Sequence, residues 1–125
     1  MTNSLDSSTP IPFVEETGFG LWFLDTDTWY VHVLTRALND LQRLMEPGRS
    51  HAAILDVGCG RGKSTRLLDE RFRPKTIVAL EPDAELLRAA ASTTARCNSK
   101  ITLLHASATD IPAPDASFDL LFCHQ

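Results

Sequence analysis

The sequence predicts an α/β domain built on a parallel sheet, and two observations support this. Short apolar segments typical of buried strands alternate with segments whose apolar residues recur at helical spacing, as in strands joined by right-handed helical crossovers. The 125 residues are 43% hydrophobic and 22% charged, which is typical of one soluble globular domain, so a disordered or fibrous chain is not expected. We therefore expect a packed core around strands that are covered on both faces.

Charge and cysteine content argue against several functions. The net charge is −4 and no run of Lys or Arg forms the basic stripe that binds a phosphate backbone, so nucleic acid is not an expected partner. Cys59, Cys97 and Cys123 are odd in number and lack CxxC spacing, which predicts neither disulfides nor a metal site. The sequence also lacks a signal segment and an apolar run of the ~20 residues that span a membrane. We expect a cytoplasmic protein without membrane association.

The first 26 residues are predicted to lie outside the main domain, which we expect to span residues 27–125. Residues 1–12 are polar and indicate a flexible leader. The aromatic-rich stretch that follows is interrupted by Gly18 and Gly20 and predicts a loop or lid. Its aromatic residues are Phe13, Phe19, Trp22 and Phe23.

The first helix is predicted to begin at Asp27, a suitable N-cap, and to end before Pro47 and Gly48. Apolar residues recur within it at alternating spacings of three and four, which places them on one helical face. These residues are Val31, Leu34, Leu38, Leu41 and Met45.

Four strands and two further helices are predicted after this helix. The strands cover residues 52–57, 76–80, 101–105 and 118–123. One helix covers residues 63–72 and is ended by Pro74, and Pro82 takes a position typical of the first turn of the next helix. That helix is expected to face the core with Leu86, Leu87, Ala90 and Ala91. Residues 106–117 contain two prolines and predict a loop.

A glycine-rich loop joins the first predicted strand to its helix: residues 56–62 read Asp-Val-Gly-Cys-Gly-Arg-Gly. The N terminus of a helix offers free N–H groups and the positive end of its dipole, and glycines allow positive φ and close approach of a ligand. Glu81 ends the next strand, where a carboxylate can accept both hydroxyls of a ribose bound over the loop. The loop and the acid together predict a ligand that contains a nucleoside.

The glycine spacing discriminates between ligand classes. A dinucleotide fingerprint, GxGxxG, requires glycine at the position of Lys63. A phosphate-binding loop, GxxxxGK[ST], matches residues 62–64 but requires glycine at Val57, and the last predicted strand ends without a Mg²⁺-binding carboxylate. A nucleotide-phosphate site that uses Lys63 therefore stays only as a third alternative.

The remaining pattern, Asp-x-Gly-x-Gly-x-Gly in residues 56–62, resembles the first motif of the class I S-adenosylmethionine (SAM)-dependent methyltransferases. Residues 78–83, Val-Ala-Leu-Glu-Pro-Asp, are similar to the second motif of that family, and residues 106–125 resemble the third and fourth. The resemblance covers residues 52–125. It implies a Rossmann-like parallel sheet with flanking helices, of which this chain is the N-terminal half, truncated after the fourth strand.

The resemblance implies that SAM binds over the glycine loop. Asp56 and the loop backbone are expected to hold the methionine part of the cofactor. The loop residues in this role are Gly58, Cys59, Gly60 and Gly62. The Cys59 side chain is expected to be a small buried filler and not a nucleophile, because nothing basic adjoins it in the sequence.

The same resemblance implies roles at the other strand ends. Glu81, followed by Pro82, is expected to bind the ribose, and Ala108 the adenine edge through its backbone. Ser107 stands where the family often has an acid, and its hydroxyl bonds an amino group more weakly than a carboxylate would. His124 is expected to face the transferred methyl group and is the candidate base.

The implied reaction is attack of an acceptor nucleophile on the sulfonium methyl group, which needs positioning but no metal. The acceptor is expected to be a small molecule. Strand 118–123 is expected to expose an apolar sheet edge through which a second chain could pair. The alternative to a methyltransferase is a catalytically inactive fragment, or a regulatory half-domain that binds SAM.

Overall fold

A computed structural model describes residues 17–24, 26, 28–45 and 51–123 of the chain. The helices are α1 (Gly18–Leu24), a π-helix (Trp29–Leu34), α2 (Thr35–Leu44), α3 (Lys63–Phe72) and α4 (Ala84–Thr93). The strands are β1 (Ala53–Val57), β2 (Thr76–Glu81), β3 (Lys100–His105) and β4 (Leu120–Cys123). Among these described helices, none is both long enough and apolar enough to cross a membrane.

The four strands form one parallel sheet in the order β3-β2-β1-β4, which confirms the predicted α/β fold. The carboxyl ends of parallel strands meet at one edge of a sheet. Here the register pairs Val57 with Leu80 and with Cys123, and Glu81 with His105. The winding direction reverses between β1 and β4, and ligands of such sheets bind at this kind of reversal.

The continuous apolar run of β1 is explained by burial on both of its faces. Ile54 packs with Leu38 and Leu68, from α2 and α3, on one face. Leu55 and Val57 point to the opposite face. There they pack with residues outside these helices, Leu80, Ala106, Ile111 and Phe118. Each fully buried Leu or Ile contributes roughly 1.5–3 kcal/mol to folding.

The aromatic-rich stretch is helical where the structure describes it, so the predicted loop or lid is wrong there. Helix α1 runs through both glycines, and the Thr17 hydroxyl accepts a hydrogen bond from the Gly20 N–H at 3.0 Å. The rings of Phe19 and Trp22, one turn apart, lie 5.7 Å from each other. A capping hydroxyl and a ring pair at this spacing favour a helix, and they offset the roughly 1 kcal/mol that glycine costs in one.

The next helix starts with π-helical geometry, whereas its spacing predicted a regular α-helix. Both the N–H and the hydroxyl of Thr35 donate to the carbonyl of Tyr30, five residues earlier, the hydroxyl at 2.8 Å. The hydroxyl thus reinforces the wider turn over Trp29–Leu34. The predicted N-cap, Asp27, and the predicted stop at residues 47–48 lie outside the described residues.

The apolar face predicted for this helix is confirmed at Leu34, Leu38 and Leu41, whereas Met45 lies after the last residue of α2. Leu34 and Leu38 are fully buried, and Leu41 packs against the same cluster. The side chain of Val31 is outside the description. In the structure this face packs against the sheet at Ile54, Ile77 and Phe122.

Helix α4 begins at Ala84, so Pro82 is not in its first turn as predicted. Asp83 is the N-cap, and its Oδ1 accepts from the N–H groups of Glu85 and Leu86 at 2.8 and 3.1 Å. These two bonds satisfy N–H groups that otherwise lack a partner at a helix start. Pro82 therefore precedes the cap.

The core-facing prediction for α4 is wrong at Ala91. Ala90 is fully buried, whereas Ala91 is exposed. Ala90 lies under Gly62 of the glycine loop, and the next residue is turned about 100° away around the helix.

Strands β1 and β4 each begin later than predicted, at Ala53 and Leu120. At this point Asp119 adds side-chain bonds to a backbone bond, in which its own N–H donates to the Ala53 carbonyl at 2.8 Å. Its Oδ2 accepts from the N–H groups of Ala52 and Ala53, both at 2.9 Å, so a side chain ties the starts of the two strands together.

Asp69 anchors the connection between α4 and β3 to helix α3. It accepts from the N–H of Asn98 at 3.1 Å, and from the N–H and hydroxyl of Ser99 at 2.8 and 2.5 Å. Burial acts to raise the pKa of Asp69, but these hydrogen bonds outweigh it and hold the pKa below the ordinary value.

His51, just before β1, predicts a stabilising substitution. Its ring is 4% exposed and packs edge-on against Phe72, and neither ring nitrogen has a partner in the described part of the chain. Because an unsatisfied buried polar group costs about 1–3 kcal/mol, His51→Leu should raise the free energy of unfolding by about that amount. Urea denaturation at pH 7 measures the change. His51→Gln, which keeps a polar group, should bring no such gain, and a less stable Leu variant would contradict this account.

Candidate functional site

The predicted cofactor site lies at the carboxyl edge of the sheet, where the glycine loop leaves β1. The N–H groups of Gly58 and Cys59 both donate to the carbonyl of Leu80 at 2.9 Å, which fixes the start of the loop on β2. The Gly62 N–H donates to the Cys59 carbonyl, also at 2.9 Å, and α3 then begins at Lys63. The loop is therefore a tight turn held against the neighbouring strand.

Glu81 joins this loop to the turn between β2 and α4. Its Oε1 accepts from the Gly60 N–H at 3.0 Å and its Oε2 from the Asp83 N–H at 2.8 Å. Burial raises the pKa of Glu81, while the two hydrogen bonds act in the opposite direction. Each carboxylate oxygen has two acceptor sites, so the group can accept further hydrogen bonds from a ligand. The sequence placed Glu81 beside the loop, and the structure brings them into contact.

All three loop glycines predicted for the site have positive φ: 75° at Gly58, 55° at Gly60 and 90° at Gly62. Glycine reaches this region without steric cost. A Cβ at Gly62 would lie 3.1 Å from the backbone Cα of Ala90, whereas one at Gly60 would meet nothing within 4 Å. Gly62 thus lets α3 and α4 pack, and Gly60 borders open space that a ligand can enter.

Asp56 lies behind the loop and holds the first turn of α3. Its Oδ2 accepts from the hydroxyls of Ser64 and Thr65, both at 2.7 Å, and the residue is 1% exposed. Burial raises the pKa of Asp56 to about 6. Sequence reasoning missed Ser64 and Thr65, although two adjacent hydroxyl residues in a first turn after a buried acid were the available signal.

Cys59 is a buried filler, as predicted. It is 4% exposed and packs with Ala79 and Ala90 between the sheet and α4. Burial, and then the charges of Asp56 and Glu81, raise the pKa of its thiol far above the ordinary value, so the thiol stays protonated and is not a nucleophile.

The other predicted site residues lie at the ends of β2 and β3 or beyond β4. Pro82 forms the turn after β2. Ser107 is buried with its hydroxyl 2.5 Å from that of Thr109, whereas Ala108 is exposed. The Ser107 hydroxyl therefore already has a neighbour in its own turn. His124 lies outside the described residues.

Residues 54–125, more than half of the chain, match the sequence family described as "Methyltransferase domain". The chain belongs to this family. That membership confirms the resemblance to the class I SAM-dependent methyltransferases, whose first motif is the glycine loop described above.

Two relatives of this methyltransferase domain are similar over part of their length. A trans-aconitate 2-methyltransferase of Deinococcus radiodurans is 35% identical over 83 residues, which cover 66% of this chain and 30% of that protein. Another, from Azoarcus sp. (strain BH72), is 43% identical over 56 residues, which cover 45% of this chain and 22% of that protein. The match thus spans less than a third of either relative.

Solved structures share the fold of this methyltransferase domain. A SAM-dependent methyltransferase from Aquifex aeolicus has a TM-score of 0.65 at 19% identity and covers 87% of this chain and 57% of its own. One from Leishmania major has a TM-score of 0.64 at 25% identity, with 80% and 39% covered. The plantazolicin methyltransferase in complex with S-adenosylhomocysteine (SAH) has a TM-score of 0.62 at 15% identity, with 82% and 38% covered. The Rossmann-like fold is confirmed.

The different surroundings of Gly62 and Gly60 predict unequal effects of alanine at these two positions. Both changes place alanine at positive φ, which costs about 1 kcal/mol, but only Gly62→Ala also forces a Cβ against the Ala90 backbone. Gly62→Ala should lower the free energy of unfolding by roughly 2–4 kcal/mol, and Gly60→Ala by about 1 kcal/mol. Denaturant titration of both variants measures this. Equal losses would contradict the close packing of α3 on α4.

The raised pKa of Asp56 predicts a specific pH dependence of stability. The unfolded carboxyl ionises near 3.8 and the folded one near 6, so the folded state holds its proton longer and loses stability as pH rises between these values. Asp56→Asn cannot ionise, so its stability relative to the parent should rise by about 2–3 kcal/mol from pH 4 to pH 7. Denaturant titrations of both proteins at several pH values measure this change. A difference in stability that is the same at every pH does not affect it. A stability difference between the variant and the parent that does not change with pH would show that burial does not raise the pKa of Asp56.

Proposed function

We propose that this chain binds SAM at the carboxyl edge of its sheet and supplies the cofactor-binding part of an enzyme that methylates a small molecule. The observation that carries the proposal is the contact of Glu81 with Gly60. It places a buried carboxylate with spare acceptor capacity directly beside a positive-φ glycine loop. SAM contains a ribose with two donor hydroxyls and an amino-acid end, which these two features suit. Membership of the methyltransferase family supports the same ligand.

We assign the methionine end of SAM to the backbone of residues 58–62 and the start of α3. A helix N terminus attracts a carboxylate through its N–H groups and its dipole. The hydroxyls of Ser64 and Thr65 both donate to Asp56, which supports an indirect part: it orients the first turn of α3.

We assign the ribose to Glu81, beside Pro82, and the adenine to the turn at Ser107 and Ala108. Ala108 is exposed, which supports contact between its backbone and the adenine edge. The bond between the Ser107 and Thr109 hydroxyls means that Ser107 has to share its hydroxyl with the adenine amino group. His124 stays our candidate for the base at the transferred methyl group.

The acceptor that we propose is a small carboxylic acid. Two relatives are named for trans-aconitate, which supports this chemical class. Arg61, exposed in the middle of the glycine loop, places a cation at the same edge of the sheet. Trans-aconitate is therefore the first acceptor to assay, with tritiated SAM as the methyl donor.

We also propose that β4 pairs with a further strand or chain and that the protein is cytoplasmic. Strand β4 is the outer strand of the described sheet, and Leu121 on it is 56% exposed, which supports pairing with a further strand or a second chain. Cys59, Cys97 and Cys123 are free thiols, which supports a cytoplasmic location.

The alternative function is a SAM-binding regulatory half-domain without catalysis, and binding without methyl transfer would favour it.

Isothermal titration of the chain with SAM tests the cofactor site. Glu81→Gln should weaken SAM binding about tenfold or more, because a carboxylate that accepts hydroxyl hydrogen bonds contributes about 1.5–3 kcal/mol. Glu85→Gln is the matched control: it makes the same change at an exposed position in the first turn of α4 and should leave the affinity unchanged.

A separate titration with ATP and Mg²⁺ tests the alternative ligand class. Tight Mg²⁺-dependent ATP binding would favour the nucleotide-phosphate alternative that uses Lys63. Failure of a folded chain to bind SAM would contradict the proposed function.

A further inference from the structure

His105 ends β3 directly beside Glu81, its register partner on β2. Its ring is exposed, and its Nε2 lies 2.8 Å from the carbonyl oxygen of Pro82. A carbonyl oxygen can only accept, so Nε2 carries the hydrogen and donates it. An exposed side chain is thus bonded to the backbone of the turn that follows the proposed ribose-binding acid.

The bond from His105 continues to Glu81 through a single peptide group. The carbonyl of Pro82 and the N–H of Asp83 belong to the same planar unit, and that N–H donates to Glu81 Oε2 at 2.8 Å. Because the peptide is rigid, holding its oxygen also sets the direction of its N–H. Each hydrogen bond in such a chain also polarises the next.

The opposite oxygen of Glu81 is held from the other side by Gly60, at 3.0 Å. The carboxylate therefore has two fixed donors, and His105 controls the orientation of one of them. The charges agree with this proximity: burial raises the pKa of Glu81, and His105 is among the groups that oppose the increase.

We propose that His105 is a positioning residue of the cofactor site, which fixes the Pro82–Asp83 peptide and thereby aims the Glu81 carboxylate at the ribose hydroxyls of SAM. The inference rests on the proposed function, because it requires a ribose at Glu81. It adds a residue that the motifs of the sequence did not include. His105 does not itself contact the reacting atoms.

The experiment compares two amides at position 105. The side-chain nitrogen of Gln lies three bonds from Cβ, as does histidine Nε2, so His105→Gln keeps a donor where the Pro82 carbonyl needs it. His105→Asn carries the same amide one carbon shorter and cannot reach. Because the position is exposed, both variants should fold, and circular dichroism checks this.

Two titrations test whether His105 positions Glu81 for the ribose. One uses SAH, and the other uses the SAH analogue that lacks both ribose hydroxyls. His105→Asn should weaken SAH binding about three- to tenfold, and His105→Gln should stay within about twofold of the parent. The analogue should bind all three proteins alike, since it makes no use of Glu81. A general structural loss would weaken both ligands equally.

The outcomes separate the two proposals. If the parent binds SAH and the Asn variant binds it equally well, or loses both ligands equally, the positioning role of His105 is overturned and the proposed function stands. If the folded parent chain does not bind SAH, the proposed function fails and the inference fails with it.

Discussion

The Glu81 carboxylate is the interaction on which the carboxyl edge of this sheet depends. It is buried between two connections, one after β1 and one after β2, and it accepts a backbone N–H from each, at Gly60 and at Asp83. A charged group that is largely withdrawn from water must find such donors, so the cost of its burial keeps both turns closed around it.

Asp56 holds two neighbouring elements together in a similar way, but behind the glycine loop. It ties β1 to α3 through Ser64 and Thr65, while Gly62 lets α3 lie close to α4. The two acids differ in their donors: Asp56 accepts from the side-chain hydroxyls of Ser64 and Thr65, whereas Glu81 accepts from backbone N–H groups of the two connections at the sheet edge. This difference is why we assign ligand contact to Glu81 and support of the helix to Asp56.

The sequence predicted the sheet, the glycine loop and the limits of α3 because these depend on local signals. Gly62 and Pro74 mark both ends of α3, and the apolar run of β1 reflects burial on two faces. Glu81 was found for a similar reason: a parallel strand must end at the same edge as the loop. Family motifs supplied the chemistry that spacing alone left open between ligand classes.

Features that depend on individual side-chain contacts were not predictable in this way. The hydroxyl of Thr35 reinforces a π-helix where the apolar spacing fits an α-helix equally well, and the Asp83 side chain caps α4 where Pro82 offered an equally plausible start. The ring pair of Phe19 and Trp22 favours a helix in a segment whose glycines indicated a loop. Each depends on a side-chain contact that composition and periodicity do not encode.

The bonds of Asp119 to Ala52 and Ala53 have a consequence for how the chain acquires its structure. They join residues 67 and 66 positions apart, whereas β1 meets β2 across a single helix. Closing the longer loop costs more chain entropy and comes later during synthesis. Until residue 119 has left the ribosome, the edge of β1 that pairs with β4 stays unpaired, and unpaired strand edges favour association with other chains.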